Sequence, residues 1–335
     1  MDPFFTDSAN NFKFGQISDI NLDNSYKEGT PATCTNEPCC HDTSTPVGSN
    51  SRTAGKWGDY NCDLPVDTFN AGVAAMKSIE NLDFLIWTGN TAPHEIWNQT
   101  ESVRMDLIEQ ATEEIENRFA NIPVYPVIGS WDTSPVHQYS FKPRSFADRN
   151  TFNKFLSNEW RYLIKDNDAL KQIENYGFYS LWHKADELKI IGMNMMACNY
   201  LNLNLFYNVT DPADQLGWLS AELKDAEDKN AGVYIIGSTP PGDSSCLSDW
   251  SMRYNAIIDR YQNTVRGQFF GSTSRDQVIL NRSVKGSSPT GTIFVAPSMS
   301  SYNKANPSFR IYEADGGSFY PTNYYQYRMD LDKAN

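Results

Sequence analysis

Short apolar runs alternate with longer stretches of helical period along most of this chain. Phe12–Ile20 (FKFGQISDI) alternates as a strand and ends in polar residues, whereas Val66–Ser78 carries the spacing of an amphipathic helix. Asp83–Thr88 (DFLIWT), apolar from Phe84 to Trp87, reads as a buried strand running straight into Gly89-Asn90. Glu101–Phe119 is strongly periodic and closed off by Pro123, and Val124–Ile128 is a further apolar strand stopping at Gly129. Arg149–Asn175 is predicted helical with aromatic anchors, followed by a strand pair around Gly177–Leu181 and Leu188–Met193. Asp214–Lys229 and Met252–Tyr261 read as helices; Gly232–Ile236, Gln268–Gly271 and Thr292–Ala296 read as strands, and the tail from Phe309 is strand-rich and aromatic. Strands alternating with helices define an α/β chain.

One stretch breaks the pattern. Residues 24–63 are rich in Gly, Pro, Ser, Asn and Cys, which predicts a long stapled loop rather than a linker. It holds Cys34, Cys39, Cys40 and Cys62; Cys198 and Cys246 lie far downstream. Only His41 is near the first cluster, so zinc is the minor reading and disulfides the major one, with several connectivities open. The sequons at Asn98, Asn208 and Asn281 add to the expectation of an oxidising, secreted or lumenal setting with sugar on those residues. A net charge of −13 argues against nucleic acid as a partner. No apolar run is long enough for a membrane span, and no signal peptide stands at Met1–Phe5; set beside the cysteines and sequons, this leads to the expectation that the numbering omits a leader or that the chain is a mature or excised form.

Five apolar strands end in Gly or acidic turns: Ser18-Asp19-Ile20-Asn21, Gly89-Asn90, Gly129-Ser130-Trp131-Asp132, Gly237-Ser238 and Gly271-Ser272-Thr273-Ser274. Loops beyond the carboxyl ends of strands in α/β sheets converge on one crevice. The residues alone therefore predict a polar crevice holding two carboxylates, Asp19 and Asp132, and no histidine.

At these turns the chain resembles the acid sphingomyelinase and sphingomyelinase-like branch of the calcineurin-type metallophosphoesterases, whose strand ends read D-x-H, G-D, G-N-H-[DE], G-H and G-H-x-H. The resemblance extends through Trp57-Gly58-Asp59-Tyr60-Asn61-Cys62-Asp63, Pro93-His94-Glu95-Ile96-Trp97, Gly177-Phe178-Tyr179-Ser180, Gln215-Leu216-Gly217-Trp218-Leu219 and Asn306-Pro307-Ser308-Phe309-Arg310. It implies a sandwich of two mixed β-sheets flanked by helices, a single domain over residues 1–335 without the family's C-terminal helical subdomain, and the pairs Cys34–Cys39, Cys40–Cys62 and Cys198–Cys246.

The resemblance also implies departures. Asp19 matches a metal ligand, but Asn21, Ser238, Ser272 and Ser274 stand where His ligands are expected, Asn90 where the bridging Asp is, and Ser130 where an Asn ligand is. Trp131 stands where the family has the His that protonates the leaving group, and His94 is retained. Hydroxyls and amides are poor zinc donors. The expectation is therefore no metal cofactor and no catalysis: a pseudoenzyme acting as an interaction module with other proteins or within a larger assembly. The alternatives are a phosphodiesterase on lipid or nucleotide diesters with altered metal use, and a non-hydrolytic binder of phosphate ligands.

Overall fold

The structure, a computed structural model, describes residues 11–48, 52–141 and 148–335; the first ten residues, on which the leader expectation falls, lie outside it. The strand β1 (Phe12–Ile17) lies between β2 (Leu82–Trp87), parallel to it, and β10 (Ser308–Ala314), antiparallel to it. Adding β3 (Val124–Pro126) and β11 (Pro321–Arg328) completes a mixed sheet in the order β11-β10-β1-β2-β3. The second sheet runs β4 (Tyr179–Lys184), β5 (Leu188–Gly192), β6 (Gly232–Ile236), β7 (Val265–Phe270), β9 (Pro289–Val295) and β8 (Gln277–Arg282).

The two sheets meet through aromatic side chains. Phe14 of β1 stacks on Phe84 and Tyr312 of its own sheet and meets Phe269 of β7 edge-on at 5.1 Å between centroids. Offset and edge-on contacts of this kind are the favoured aromatic arrangements. On the outer face of the first sheet, α1 (Val66–Lys77) and α2 (Glu101–Phe119) bury Phe69, Val73, Leu107, Ile108 and Ile115. On the outer face of the second, α6 (Gln215–Asp228) and α7 (Ser248–Arg260) bury Leu219, Leu223, Trp250, Tyr254 and Ile258 against Val233 and Ile235. This is the expected pair of mixed sheets flanked by helices.

Several boundaries differ from the sequence reading. The first strand stops at Ile17, because Asp19 and Asn21 take left-handed backbone angles. The helical stretch 149–175 is three helices, α3 (Asp148–Glu159), α4 (Arg161–Ile164) and α5 (Asn167–Tyr176). Lys165 turns left-handed, and the Asp166 side chain then caps α5 by accepting from the Asp168 and Ala169 amides. The seventh helix begins at Ser248, four residues before Met252. The edge strand β8 was not anticipated; its alternation of half-buried and exposed positions is broken only by Asn281. No helix among the described residues is long and apolar enough to cross a membrane.

All six cysteines pair as Cys34–Cys39, Cys40–Cys62 and Cys198–Cys246. Beside the first two, His41 is buried with its Nε2 2.6 Å from Asp23 Oδ2. The hydrogen bond to Asp23 raises the His41 pKa above its ordinary value, against the opposing effect of burial. Asn281 is buried in β8, and its carboxamide accepts from Gln268 and donates to Asn255. Asn98 and Asn208 are exposed.

A raised folded pKa means that the Asp23–His41 contribution to stability is fully present below about pH 6.5 and is lost as pH rises through the folded value. The thermal midpoint should therefore fall on the alkaline side of that value, and His41→Gln should flatten this slope in a melting series against pH.

Candidate functional site

The carboxyl ends of β1, β2, β3, β6 and β7 deliver the predicted turns to one place. Asp19, Asn21, Asn90, Ser272 and Ser274 all have positive φ, between 44° and 68°. Such angles are uncommon outside glycine, least so for Asn and Asp, and they gather at functional sites. Gly89 is left-handed as well (φ 77°) and runs against Gly129 so closely that a Cβ on Gly129 would sit 2.0 Å from the Asn90 nitrogen.

The Asp132 carboxylate ties these two turns together. It accepts from the backbone amides of Gly129 (2.7 Å), Asn90 (3.1 Å) and Thr91. Burial raises its pKa, and these amides oppose the rise. Asp19, also buried, bridges the two sheets: Oδ1 accepts from Asn90 Nδ2 at 2.6 Å, and Oδ2 accepts from Ser18 Oγ at 2.9 Å and the Ser272 amide at 2.8 Å. Burial raises the Asp19 carboxyl above its ordinary value even though these donors and the His94 charge pull it down.

The remaining positions differ in how they are engaged. Asn90 Oδ1 accepts from the Trp131 amide, and Asn90 Nδ2 also donates to Ser272 Oγ at 3.2 Å. Asn21 turns away from this group and donates to the Ala92 carbonyl. Ser130 is buried at the next turn, its carbonyl accepting from the His137 amide, and Ser274 is half-buried. Ser238 Oγ is buried without a hydrogen-bond partner. A buried polar atom of that kind marks a place where another molecule's oxygen or a water is wanted.

His94 comes from the turn after β2. Its Nδ1 lies 2.7 Å from Asp63 Oδ1 while its amide donates to Asp63 Oδ2, so a fully buried carboxylate holds both backbone and ring. Ser300 donates to the same carboxylate. Burial lowers the His94 pKa, but the Asp63 charge and hydrogen bond and the Asp19 charge outweigh it, leaving the imidazole above its ordinary value. The ring packs against Trp131 at 4.4 Å and Tyr302 at 4.5 Å, and Trp131 in turn meets His137 at 5.0 Å. The Trp131 carbonyl accepts from the buried Arg104 guanidinium. Asp63, Ser300 and Tyr302 are the site residues that sequence reasoning missed. Asp63 had a signal, its place in the Trp57–Asp63 stretch, but nothing in the spacing pairs it with His94.

Zinc takes thiolate, imidazole or carboxylate. The cysteines are in disulfides and both Asp132 oxygens are used by backbone amides, which leaves Asp19 and the Nε2 of His94, whose Nδ1 is held by Asp63, among carboxamides and hydroxyls. Among the described residues no three of His, Cys, Asp and Glu are grouped to hold a metal. This donor set does not fit a pair of zinc ions.

The fold is shared with proteins of known structure, a phosphatase among them. A dimetal phosphatase from Danio rerio superposes with a TM-score of 0.55 at 13% identity, covering 92% of this chain and 97% of that one. PhoD does so at 0.52 and 10%, covering 87% and 57%. By sequence the chain is similar to sphingomyelin phosphodiesterases. It is 34% identical to sphingomyelin phosphodiesterase of Bos taurus over 95% of this chain, and 33% identical to that of Homo sapiens, again over 95%. Cyclic GMP-AMP phosphodiesterase SMPDL3A of Homo sapiens is 28% identical over 96% of this chain and 71% of its own length. The chain spans about half the length of the sphingomyelin phosphodiesterases it matches, 52% and 51% for the two above. No protein-family profile matches it.

Two expectations are corrected by these findings. The relatives that match nearly the whole chain are named as enzymes, which overturns the reading of the chain as no enzyme. The same relatives, and a fold neighbour described as a dimetal phosphatase, overturn the expectation of no metal cofactor.

Gly129→Ala should destabilise the protein by about 1–3 kcal/mol, the usual cost of forcing extra atoms into a packed site. It meets the Asn90 backbone rather than a side chain able to move. A denaturant titration of the variant beside the wild-type chain checks this.

Proposed function

We propose that the chain is a phosphodiesterase of the acid-sphingomyelinase kind, with the His94–Asp63 pair as its proton donor. One observation carries this reading: a histidine whose ring is held by a buried carboxylate, which raises its pKa, stands beside a crevice of left-handed strand ends. With Nδ1 fixed on Asp63, Nε2 is the ring nitrogen able to face a ligand. The Asn90 and Ser272 side chains, the unpartnered Ser238 hydroxyl and the backbone amides of the turns supply donors for phosphoryl oxygens. In the step proposed, water forms the new bond to phosphorus and the bond to the leaving alcohol breaks. The alcohol oxygen takes the Nε2 proton, and the proton lost by the water passes to solvent and restores the imidazolium.

The three disulfides support a secreted or lumenal setting for this activity.

His94→Gln should lower kcat on a chromogenic phosphodiester by about 10²–10⁴-fold, the range general-acid catalysis contributes. Activity should decline as pH rises through the raised His94 pKa, and Asp63→Asn should move that limb to lower pH. Equal turnover by His94→Gln and wild type refutes the assignment, as does a wild-type chain that hydrolyses no diester with any divalent cation supplied.

A further inference from the structure

The second sheet opens at the end away from the crevice. Strands β7 and β9 pair only from Gln268↔Ile293 to Phe270↔Val295, close to the turn that carries Ser272. Ahead of those pairs no ladder joins the two strands, although β6 still pairs with β7 and β8 with β9. A pocket of about 300 Å³ lies there, its walls including Arg266, Thr290, Gly291, Thr292, Phe294 and Tyr320. The fully buried Gln268 closes it: Nε2 donates to Asn281 Oδ1 and the Thr292 carbonyl, and Oε1 accepts from the Tyr254 hydroxyl. The volume is at the small end of those that hold organic ligands.

The chemistry of this pocket is one-sided. Arg266 is half-buried, with its stem so close to Gly232 that a Cβ there would meet Arg266 Cγ at 2.9 Å. Its guanidinium lies over the Tyr320 ring, 4.8 Å from the centroid, and donates to the Tyr320 hydroxyl at 2.7 Å. Among the described residues it has no carboxylate partner and no second hydrogen bond, in a chain with 41 acidic side chains against 28 basic ones. No acidic side chain lines the pocket. Thr290 is 8% exposed, and its hydroxyl is buried without a hydrogen-bond partner. A buried hydroxyl left unpaired is costly, and each such group needs a reason. A guanidinium with free N–H groups matches the oxygens of a carboxylate or a phosphate.

We propose that this pocket binds a small organic anion, its carboxylate or phosphate held by Arg266 and Thr290 and a flat apolar body set against Phe294 and Tyr320. The site lies at the amino end of β7, whereas the carboxyl end of the same strand leads to Ser272 in the crevice. It is therefore a second site, and it stands or falls independently of the phosphodiesterase reading.

Titration calorimetry of the full chain with benzoate and with phenyl phosphate tests this, the two arms separating a carboxylate from a phosphate ligand. At least one of them should bind stoichiometrically. Arg266→Gln should weaken that binding about tenfold or more, the scale of hydrogen bonds to a charged group, with circular dichroism unchanged from wild type. Benzamide, which has the shape of benzoate without its charge, should bind wild type about tenfold or more weakly than the anion does; this comparison does not depend on how the variant folds. Three outcomes overturn the proposal. They are wild type binding neither anion at millimolar concentration, benzamide binding as tightly as the anion, and folded Arg266→Gln protein binding the anion as tightly as wild type, which would place it in the crevice instead.

Discussion

The site depends on one buried carboxylate. Asp132 accepts amides from the turns after β2 and β3, and so fixes the separation of Gly89 and Gly129, which touch backbone to backbone. With those turns locked, Asn90 is placed to reach across to Asp19 and Ser272, which joins the first sheet to the second at the crevice floor. A carboxyl group in so dry a place is tolerable only because amide donors surround it. Its role is to hold other groups in position.

A second carboxylate works the same way one layer out. Asp63 grips His94 through both its amide and its ring, and the segment after β9 backs the arrangement: Ser300 donates to Asp63, and its amide donates to the Asp19 carbonyl. Charge on the imidazole is favoured by two anions, Asp63 and Asp19, although burial opposes it. The acid-base group and the crevice floor are therefore parts of one network, reached from residues far apart in sequence.

Much of this was legible beforehand. The apolar runs that end in Gly-polar turns located β1, β2, β3, β6 and β7 and foresaw their convergence, since the strand period and its punctuation are local signals. The disulfide pairs came from the resemblance. Left-handed breaks inside a periodic stretch were not legible: Lys165 divides a helical run by turning left-handed, and its own residue type gives no warning. The edge strand β8 was hidden because an edge strand packs on one side only. The Asp63–His94 pair was invisible for a different reason, in that long-range hydrogen bonds leave no period in the chain. The judgement about enzymatic activity failed because it was drawn from ligand types alone, whereas kinship over nearly the whole chain points to enzymes.

The positive backbone angles of Asp19, Asn21, Asn90, Ser272 and Ser274 also limit how this site can change over time. Valine, isoleucine and threonine are shut out of all five corners by steric crowding at the β-carbon, while Asn, Asp, His and Gly pass readily. Drift at these positions is thereby channelled among a small alphabet that includes strong ligands. New donor sets lie one substitution away, without rebuilding the scaffold that presents them.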